Sequence, residues 1–526
     1  MATRSDLRQL KFWGWGYEDQ QPHPDEVAAV ATGAREHLGL EPAEVAAPAR
    51  LEDIDLPPPQ IEPPASLAGI CSSTPYDRVT HAYGKAYRDI VRAFQGRIDN
   101  PPDIVACPRE EADVERLLDW CASTGAAAIP FGGGTSVVGG VEPRGLDGYA
   151  GAVSIDMRAL DRVLEVDPVS RAALIQAGAT GPRLEQQLRE HGLTLRHFPQ
   201  SFEYSTLGGW IVTRAGGHFA TLLTHIDDLV ESVRAITPAG AWESRRLPAS
   251  GAGPSPDRML IGSEGILGVV TQAWMRVQAQ PQHKAGASVH FDGFEAGAEA
   301  LRALAQSGLW PSNCRLLDPA EAGLMAGAPA GKALLVVGFE SADHPLDAWM
   351  ARALECCADH GGEVAREGGA GAWRSAFLQA PYLRDSLIAG GVLVETFETA
   401  ITWERLAGFV ARVREAAEAA LAEECGSGRV TCRITHAYPD GAAPYFTVYA
   451  PARRGSELEQ WDAVKAAASE AIAGAGGTIT HHHAVGRDHR PWYDRERPEP
   501  FAAALRAAKR QVDPRAIMNP GVLIDP

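Results

Sequence analysis

Pro130-Phe131-Gly132-Gly133-Gly134-Thr135-Ser136 closes an apolar run, Ala126 to Phe131, with the composition of a buried strand. Three successive residues without side chains let neighbouring backbone N–H groups point into one small concavity, and such a nest binds phosphate. The loop is not a P-loop, because no Lys follows the glycines, and Val137 stands where a Rossmann spacing needs its third glycine. Taken alone, a Gly-Gly-Gly run is a tight turn more often than a ligand site. The pattern around it has to decide.

Strands and helices alternate on both sides of the loop. Asp103 to Cys107 reads as a strand, Glu110 to Thr124 as a helix, Ala173 to Gln176 as a strand, Gly181 to His191 as a helix, and Gly265 to Val277 as strand-like. From Ala285 to about His483 strands alternate again with long Ala/Glu/Arg-rich helices, notably Trp403 to Glu424 and Glu457 to Gly474. This predicts an α+β chain with two mixed domains. Pro42 to Pro64, rich in Pro and acidic residues, reads as a strap behind a short folded N-terminal piece. The last stretch, Pro498 to Pro526, carries a helix and then the turn signals Asp513-Pro514 and Met518-Asn519-Pro520-Gly521.

Composition narrows the function. A chain of 526 residues that is 45% apolar can bury two or three cores, and a formal net charge of −18 excludes a general nucleic-acid binder. No apolar run is long enough to cross a bilayer, and Met1 to Gln20 carries charges where a signal peptide needs its apolar stretch, so a cytosolic protein is expected. The eight cysteines are scattered, with only Cys356 and Cys357 adjacent. None forms a C-x-x-C pair, so reduced thiols and no metal site are expected.

Three more segments follow the glycine loop in a fixed order: Pro199-Gln200-Ser201-Phe202-Glu203-Tyr204-Ser205 with Thr206-Leu207-Gly208-Gly209, then Thr213-Arg214-Ala215-Gly216, then Gly262-Ser263-Glu264-Gly265-Ile266-Leu267-Gly268-Val269-Val270. Together the four segments resemble the FAD-binding set of the vanillyl-alcohol-oxidase flavoprotein superfamily. The resemblance implies that the first loop holds the pyrophosphate and that the others line the adenine, ribose and isoalloxazine. It extends to a D-P-x-x-x-M-N-P-G turn, here Asp513 to Gly521, which implies that Asn519 returns to the flavin. Residues 131–140 contain no His or Cys, so noncovalent FAD is expected. The implied units are an N-terminal helical and strap region (1–95), a two-subdomain FAD-binding domain (96–280), a substrate or cap domain (281–495) and a C-terminal segment returning to the flavin (496–526).

A narrower resemblance rests on Lys11-Phe12-Trp13-Gly14-Trp15-Gly16, His81-Ala82-Tyr83-Gly84-Lys85-Ala86-Tyr87-Arg88-Asp89, Thr396-Phe397-Glu398-Thr399, Thr431-Cys432-Arg433-Ile434-Thr435 and His481-His482-His483. These look like the alkyldihydroxyacetonephosphate synthase family, which exchanges the acyl group of acyl-dihydroxyacetone phosphate for a fatty alcohol in ether lipid synthesis. The resemblance implies a catalytic Tyr445, a functional run His481 to His483, a catalytic and substrate-binding Arg384, and Arg315 near the substrate. It implies lipid substrates, and it is compatible with peripheral membrane contact and a homodimer. Tyr445 and Tyr449 share one face of an alternating strand-like stretch. If the histidines are extended, His482 points opposite to His481 and His483, and either side could face the site.

The chain departs from the synthase pattern in places. Ala215-Gly216-Gly217-His218 continues to Leu223-Thr224-His225 where the family carries Ser for Gly216 and a Lys/Asn-rich stretch ending Tyr-Gly-Asn before Ile-Glu-Asp. Gln200 replaces a usual Asp and Ala484 a usual Gly. The competing expectation is an FAD-dependent dehydrogenase of a D-2-hydroxy acid, in which an Arg clamps the carboxylate and a His takes the hydroxyl proton. A flavin-carrying module without chemistry is the third alternative.

Overall fold

Alternation of buried strands with amphipathic helices produces three large β-sheets, besides the two-stranded pair Leu193–Thr194 and Gln278–Ala279, among the residues that the computed structural model describes, 8–20, 22–365 and 382–525. The first seven residues of the expected strap region, Gln21, residues 366–381 of the expected substrate domain and Pro526 lie outside the described residues.

The first sheet has the order Cys71–Ser72, Ile104–Ala106, Ala152–Asp156, Ala127–Phe131, with the last three strands parallel. Ile104, Ala106, Val153, Ile155 and Ala128 are buried against Val114, Leu117, Leu118 and Cys121 of the helix Glu111–Thr124. Continuous apolar strands are what a parallel sheet buried on both faces requires. The helix stops at Gly125, whose φ of 73° supplies the left-handed cap. The strand that follows runs straight into the glycine loop. Its outer edge is covered by the C-terminal tail: Ala128 N–H donates to the Ile517 carbonyl at 2.8 Å and Asn519 N–H to that of Ala128 at 2.9 Å.

The second sheet is antiparallel, in the order Val163–Asp167, Ala172–Gln176, Val269–Arg276, Val230–Thr237, Gly240–Glu243. The strand expected from Gly265 begins only at Val269, because Glu264 (φ 48°) and Gly265 (φ 78°) form a left-handed turn ahead of it. The helix expected to reach His191 ends at Arg189.

The third sheet, antiparallel throughout, runs Glu363–Val364, His283–Asp292, Lys332–Ser341, Asn313–Leu317, Arg429–Ala437, Gly441–Pro451, Val392–Glu398, with Ile401–Thr402 pairing beside Gly441–Pro451. The helices Phe294–Gln306 and Leu406–Cys425 contribute to its largest core. The segment expected as one helix from Trp403 opens with a 3₁₀ turn, Trp403–Arg405, before the α-helix. Among the described residues, which include all eight cysteines, no helix is long and apolar enough to cross a membrane and no disulfide forms.

Candidate active site

A cavity of about 300 Å³ opens between the glycine loop and the third sheet. At the loop end, Pro130, Gly132, Gly133, Gly134, Thr135 and Ser136 line it. The glycines are demanded first by the chain itself. A Cβ on Gly133 would run into the Tyr204 carbonyl oxygen, one on Gly132 into the Thr206 hydroxyl, and one on Gly134 into the Phe131 ring. The N–H groups of Gly133, Gly134 and Thr135 have no protein acceptor among the described residues, which leaves them for an anion. Phe131 turns away from the cavity and packs under His81, ring centroids 4.2 Å apart.

Of the second segment, Pro199, Gln200, Ser201, Ser205, Thr206 and Gly209 reach the cavity. Phe202 stacks on Trp210 instead, and Tyr204 and Glu203 bond to the Tyr382 hydroxyl. Thr213, Ala215 and Gly216 line the wall, whereas Arg214, in the left-handed conformation that ends the helix Leu207–Thr213, points to Asp227. Glu264 and Gly265 line it too; Ile266, Leu267, Val269 and Val270 are core residues, and Gly268 packs on the Ile236 carbonyl.

Glu264 ties the loop end together. Its carboxylate accepts from Val485 N–H at 2.9 Å and Gly486 N–H at 2.8 Å, and its carbonyl accepts from Asn519 Nδ2 at 2.7 Å. Burial pushes its carboxyl up to about 7, partly offset by those two N–H groups. Asn519 lines the cavity with its Oδ1 buried and unpartnered, and so does Trp15 with its Nε1.

At the other end the sheet register sets the chemistry. Opposed residues of an antiparallel pair share a face, and three neighbouring strands align Arg433, Tyr445 and Glu398 in one row, Thr431, Thr447 and Thr396 in the next, and Arg429, Tyr449 and Val394 in a third. Arg433 lies 3.9 Å from the centre of the Tyr445 ring and donates to Glu321 at 2.5 Å. Burial raises the Tyr445 hydroxyl pKa, against the opposing pull of Arg433 and Thr396. Arg315, on the adjoining strand, is pushed down to about 9 by burial and by Arg433. Arg384, from the helical stretch 382–389, donates to the Lys85 carbonyl and keeps a buried Nε without a partner. All three arginines line the cavity.

The histidine run is not extended. The backbone N–H groups of His481 (2.6 Å), His482 (3.1 Å) and His483 (2.8 Å) all turn onto the buried carboxylate of Glu398, which also takes the Thr480 hydroxyl at 2.6 Å. Burial would raise the Glu398 carboxyl, but the three histidines and Thr480 hold it well below the usual range. This bend replaces period-two alternation. His482 and His483, though adjacent, both line the cavity, and His481 turns away to Tyr438 and His225. Burial pushes His482 and His483 down to about 4, so both rings are neutral at pH 7. His436, His481 and His482 gather ligand atoms within 4.8 Å of one another, but the nitrogens of His436 are engaged by Thr435 and the Gly217 carbonyl.

Residues 102–244 match the FAD binding domain model, and residues 280–523 match the model of the C-terminal domain of FAD linked oxidases. Alkyldihydroxyacetonephosphate synthase of Dictyostelium discoideum is 31% identical over 473 residues, covering 85% of this chain and 77% of the relative. This chain belongs to the alkyldihydroxyacetonephosphate synthase family. A solved structure of alkyldihydroxyacetonephosphate synthase superposes with a TM-score of 0.82 at 26% identity, covering 97% of this chain and 98% of that one. The mitochondrial D-lactate dehydrogenase [cytochrome] of Arabidopsis thaliana is 27% identical, covering 86% of this chain and 78% of that relative.

Membership of the synthase family brings the vanillyl-alcohol-oxidase type fold and FAD as cofactor. The residues present fit it: unpaired loop N–H groups suit a pyrophosphate, and the orphaned Asn519 Oδ1 and Trp15 Nε1 face the same space. Sequence reading passed over Arg433, Glu398, Trp15, Thr396 and His436. The first four lie in segments that carried the resemblance, and the available signal was the alternation Thr431, Arg433, Thr435, which puts one arginine on a shared face.

Proposed function

We propose that this chain replaces the acyl group of acyl-dihydroxyacetone phosphate with a fatty alcohol, as an FAD-dependent alkyldihydroxyacetonephosphate synthase. The observation that carries this reading is the convergence of Arg315, Arg384 and Arg433 on one cavity that also has an apolar wall of Leu383, Leu387, Val394 and Met325. A 2-hydroxy acid presents one carboxylate, which a single bidentate arginine satisfies; a phosphate monoester carries more charge and more acceptor oxygens. The apolar wall suits an alkyl chain.

The residues divide the work by protonation state. The arginines orient the phosphate, and the neutral rings of His482 and His483 are free to take the proton at C1 of the dihydroxyacetone unit. The protonated Tyr445 hydroxyl donates its proton to the departing carboxylate and recovers one from the hydroxyl of the incoming alcohol. FAD, when bound, supplies an electron-poor ring that can accept and release a carbon substituent without net oxidation. We assign 96–280 to FAD and 281–495 to the substrate. Exposed Leu222 and Trp310 lie on loops joined by the Ala220 N–H to Ser312 carbonyl bond, and they support peripheral contact of a cytosolic protein with a lipid surface.

The test supplies the holoenzyme with acyl-dihydroxyacetone phosphate and a labelled fatty alcohol, and in parallel with D-2-hydroxy acids and a dye acceptor. Labelled ether product is expected; dye reduction without any ether product would establish the dehydrogenase instead. Acid precipitation should release all the FAD to the supernatant, and yellow colour kept in the washed pellet would mean a covalent link.

A further inference from the structure

Of the three consecutive histidines, His481 is the one that does not line the cavity. Its Nδ1 lies 2.9 Å from Nδ1 of His482, which does, and its Nε2 lies 3.1 Å from Nε2 of His225 and 2.7 Å from the Tyr438 hydroxyl. Beyond it, His225 Nδ1 faces Asp227 Oδ1 at 3.8 Å; both atoms are buried, and neither has a hydrogen-bond partner. The other carboxylate oxygen of Asp227 is held by Arg214 at 3.1 Å and Arg258 at 2.6 Å, whose side chains are 56% and 57% exposed. His482, His481, His225 and Asp227 therefore form one file from the cavity wall to the surface. The file passes through His225, which stands where the synthase pattern described above has Asn.

We propose that His481 and His225 form a proton relay that carries the proton taken from substrate at His482 to Asp227 and on to bulk water. The inference rests on the exchange reaction proposed above. An imidazole with one N–H and one lone pair can accept at one nitrogen while releasing from the other. Burial holds His225 and His482 down to about 4 and His481 well below its usual value, so none of them traps the proton as a lasting cation at neutral pH.

The transfers balance without electron movement. The C1 proton binds Nε2 of His482 as its Nδ1 proton passes to Nδ1 of His481. The Nε2 proton of His481 passes to Nε2 of His225, and the Nδ1 proton of His225 passes to Asp227 once their 3.8 Å separation closes to hydrogen-bond distance or one water bridges it, and then to bulk water. Once the alcohol has added and the carboxylate has left, the reverse passage returns a solvent proton to C1 and restores every tautomer. Asn at position 225 could still hydrogen-bond to His481, but its amide cannot accept and release a proton at neutral pH. A scaffolding role and a relay role therefore separate at this substitution.

The experiment uses the His225→Asn holoenzyme and acyl-dihydroxyacetone phosphate tritiated at C1. FAD content and KM should match wild type, while kcat and tritium release to water fall together by about 10²-fold or more, the scale of a lost proton-transfer group. Imidazole added to His225→Ala should restore part of the release. Wild-type release and turnover in His225→Asn would overturn the relay. A wild-type enzyme that releases no tritium and makes no ether would instead remove the functional reading. The relay is then judged on substrate-free holoenzyme labelled with ¹⁵N-histidine. The His481 Nε2 signal should move in His225→Asn, and an unmoved signal overturns the relay whatever the substrate.

Discussion

Tyr445 sits where an acid is useful, between the guanidinium of Arg433 and the rings of His482 and His483, with His483 edge-on at 5.6 Å. Its aromatic body is core and its hydroxyl is chemistry, and Tyr445→Phe separates the two. The variant keeps nearly all the buried area, so stability should fall by only about 0.5 to 1.5 kcal/mol and FAD content should hold. Turnover should drop on the order of 10²-fold if the hydroxyl moves a proton. Wild-type turnover at full FAD occupancy would take Tyr445 out of the mechanism. Ala484 poses a backbone question. It is buried with φ 73°, a left-handed conformation that costs a residue with a Cβ roughly 1 kcal/mol, and it stands where the synthase pattern has Gly. Ala484→Gly should raise the free energy of unfolding by about 0.5 kcal/mol after glycine's extra chain entropy is subtracted. A lowered denaturation midpoint would show that the tether from Glu264 to Val485 and Gly486 already holds the strained backbone without net cost.

At the scale of elements, the glycine loop tests how much the chain and how much the ligand dictates. Gly133→Val places a Cβ against the Tyr204 carbonyl and must displace the loop, so FAD occupancy should fall well below wild type while circular dichroism reports the same secondary structure. Full occupancy would mean that loop and segment 201–206 shift together without loss. Elements of this kind were legible in the sequence wherever local pattern is enough. The helix Glu457–Gly474 follows from its Ala/Glu-rich composition, the strand Ala127–Phe131 from its apolar run, and the glycine loop from the absence of side chains. The histidine run was not legible as a bend, because what bends it is Glu398, 83 residues earlier in the chain at His481. A carboxylate that gathers three successive N–H groups overrides period-two alternation, and no local pattern announces it. Arg433 was hidden for a related reason: it meets Tyr445 only through strand register, which turn geometry and distant pairing set.

On the scale of the whole molecule, several titratable groups are buried, and the consequence is a dependence of stability on pH. Burial pushes His225, His482 and His483 down to about 4, and His197 and His489 to about 3. Unfolded, each would titrate near about 6.5. Between those values the unfolded chain binds more protons than the folded one, so acidification from about 6.5 towards 4 favours unfolding. Four buried acids act in the opposite sense, Glu185 among them, raised by burial. Asp89 and Asp385 are raised to about 6 and Glu264 to about 7, so the folded state takes up their protons first and gains stability as pH falls through that range. With His436 and His481, which burial also pushes well below the usual value, seven histidines outnumber these acids, and the displacements from the unfolded values are as large or larger. Glu398, held below the usual carboxylate range, adds a further loss only below about 4, where its unfolded counterpart is protonated first. The urea midpoint should therefore be lower at pH 5 than at pH 7, and His482→Gln and His483→Gln should each narrow that difference by removing one contributor. An equal or higher midpoint at pH 5 would mean that the raised acids dominate, and that burial of the histidine run does not govern the acid response of this fold.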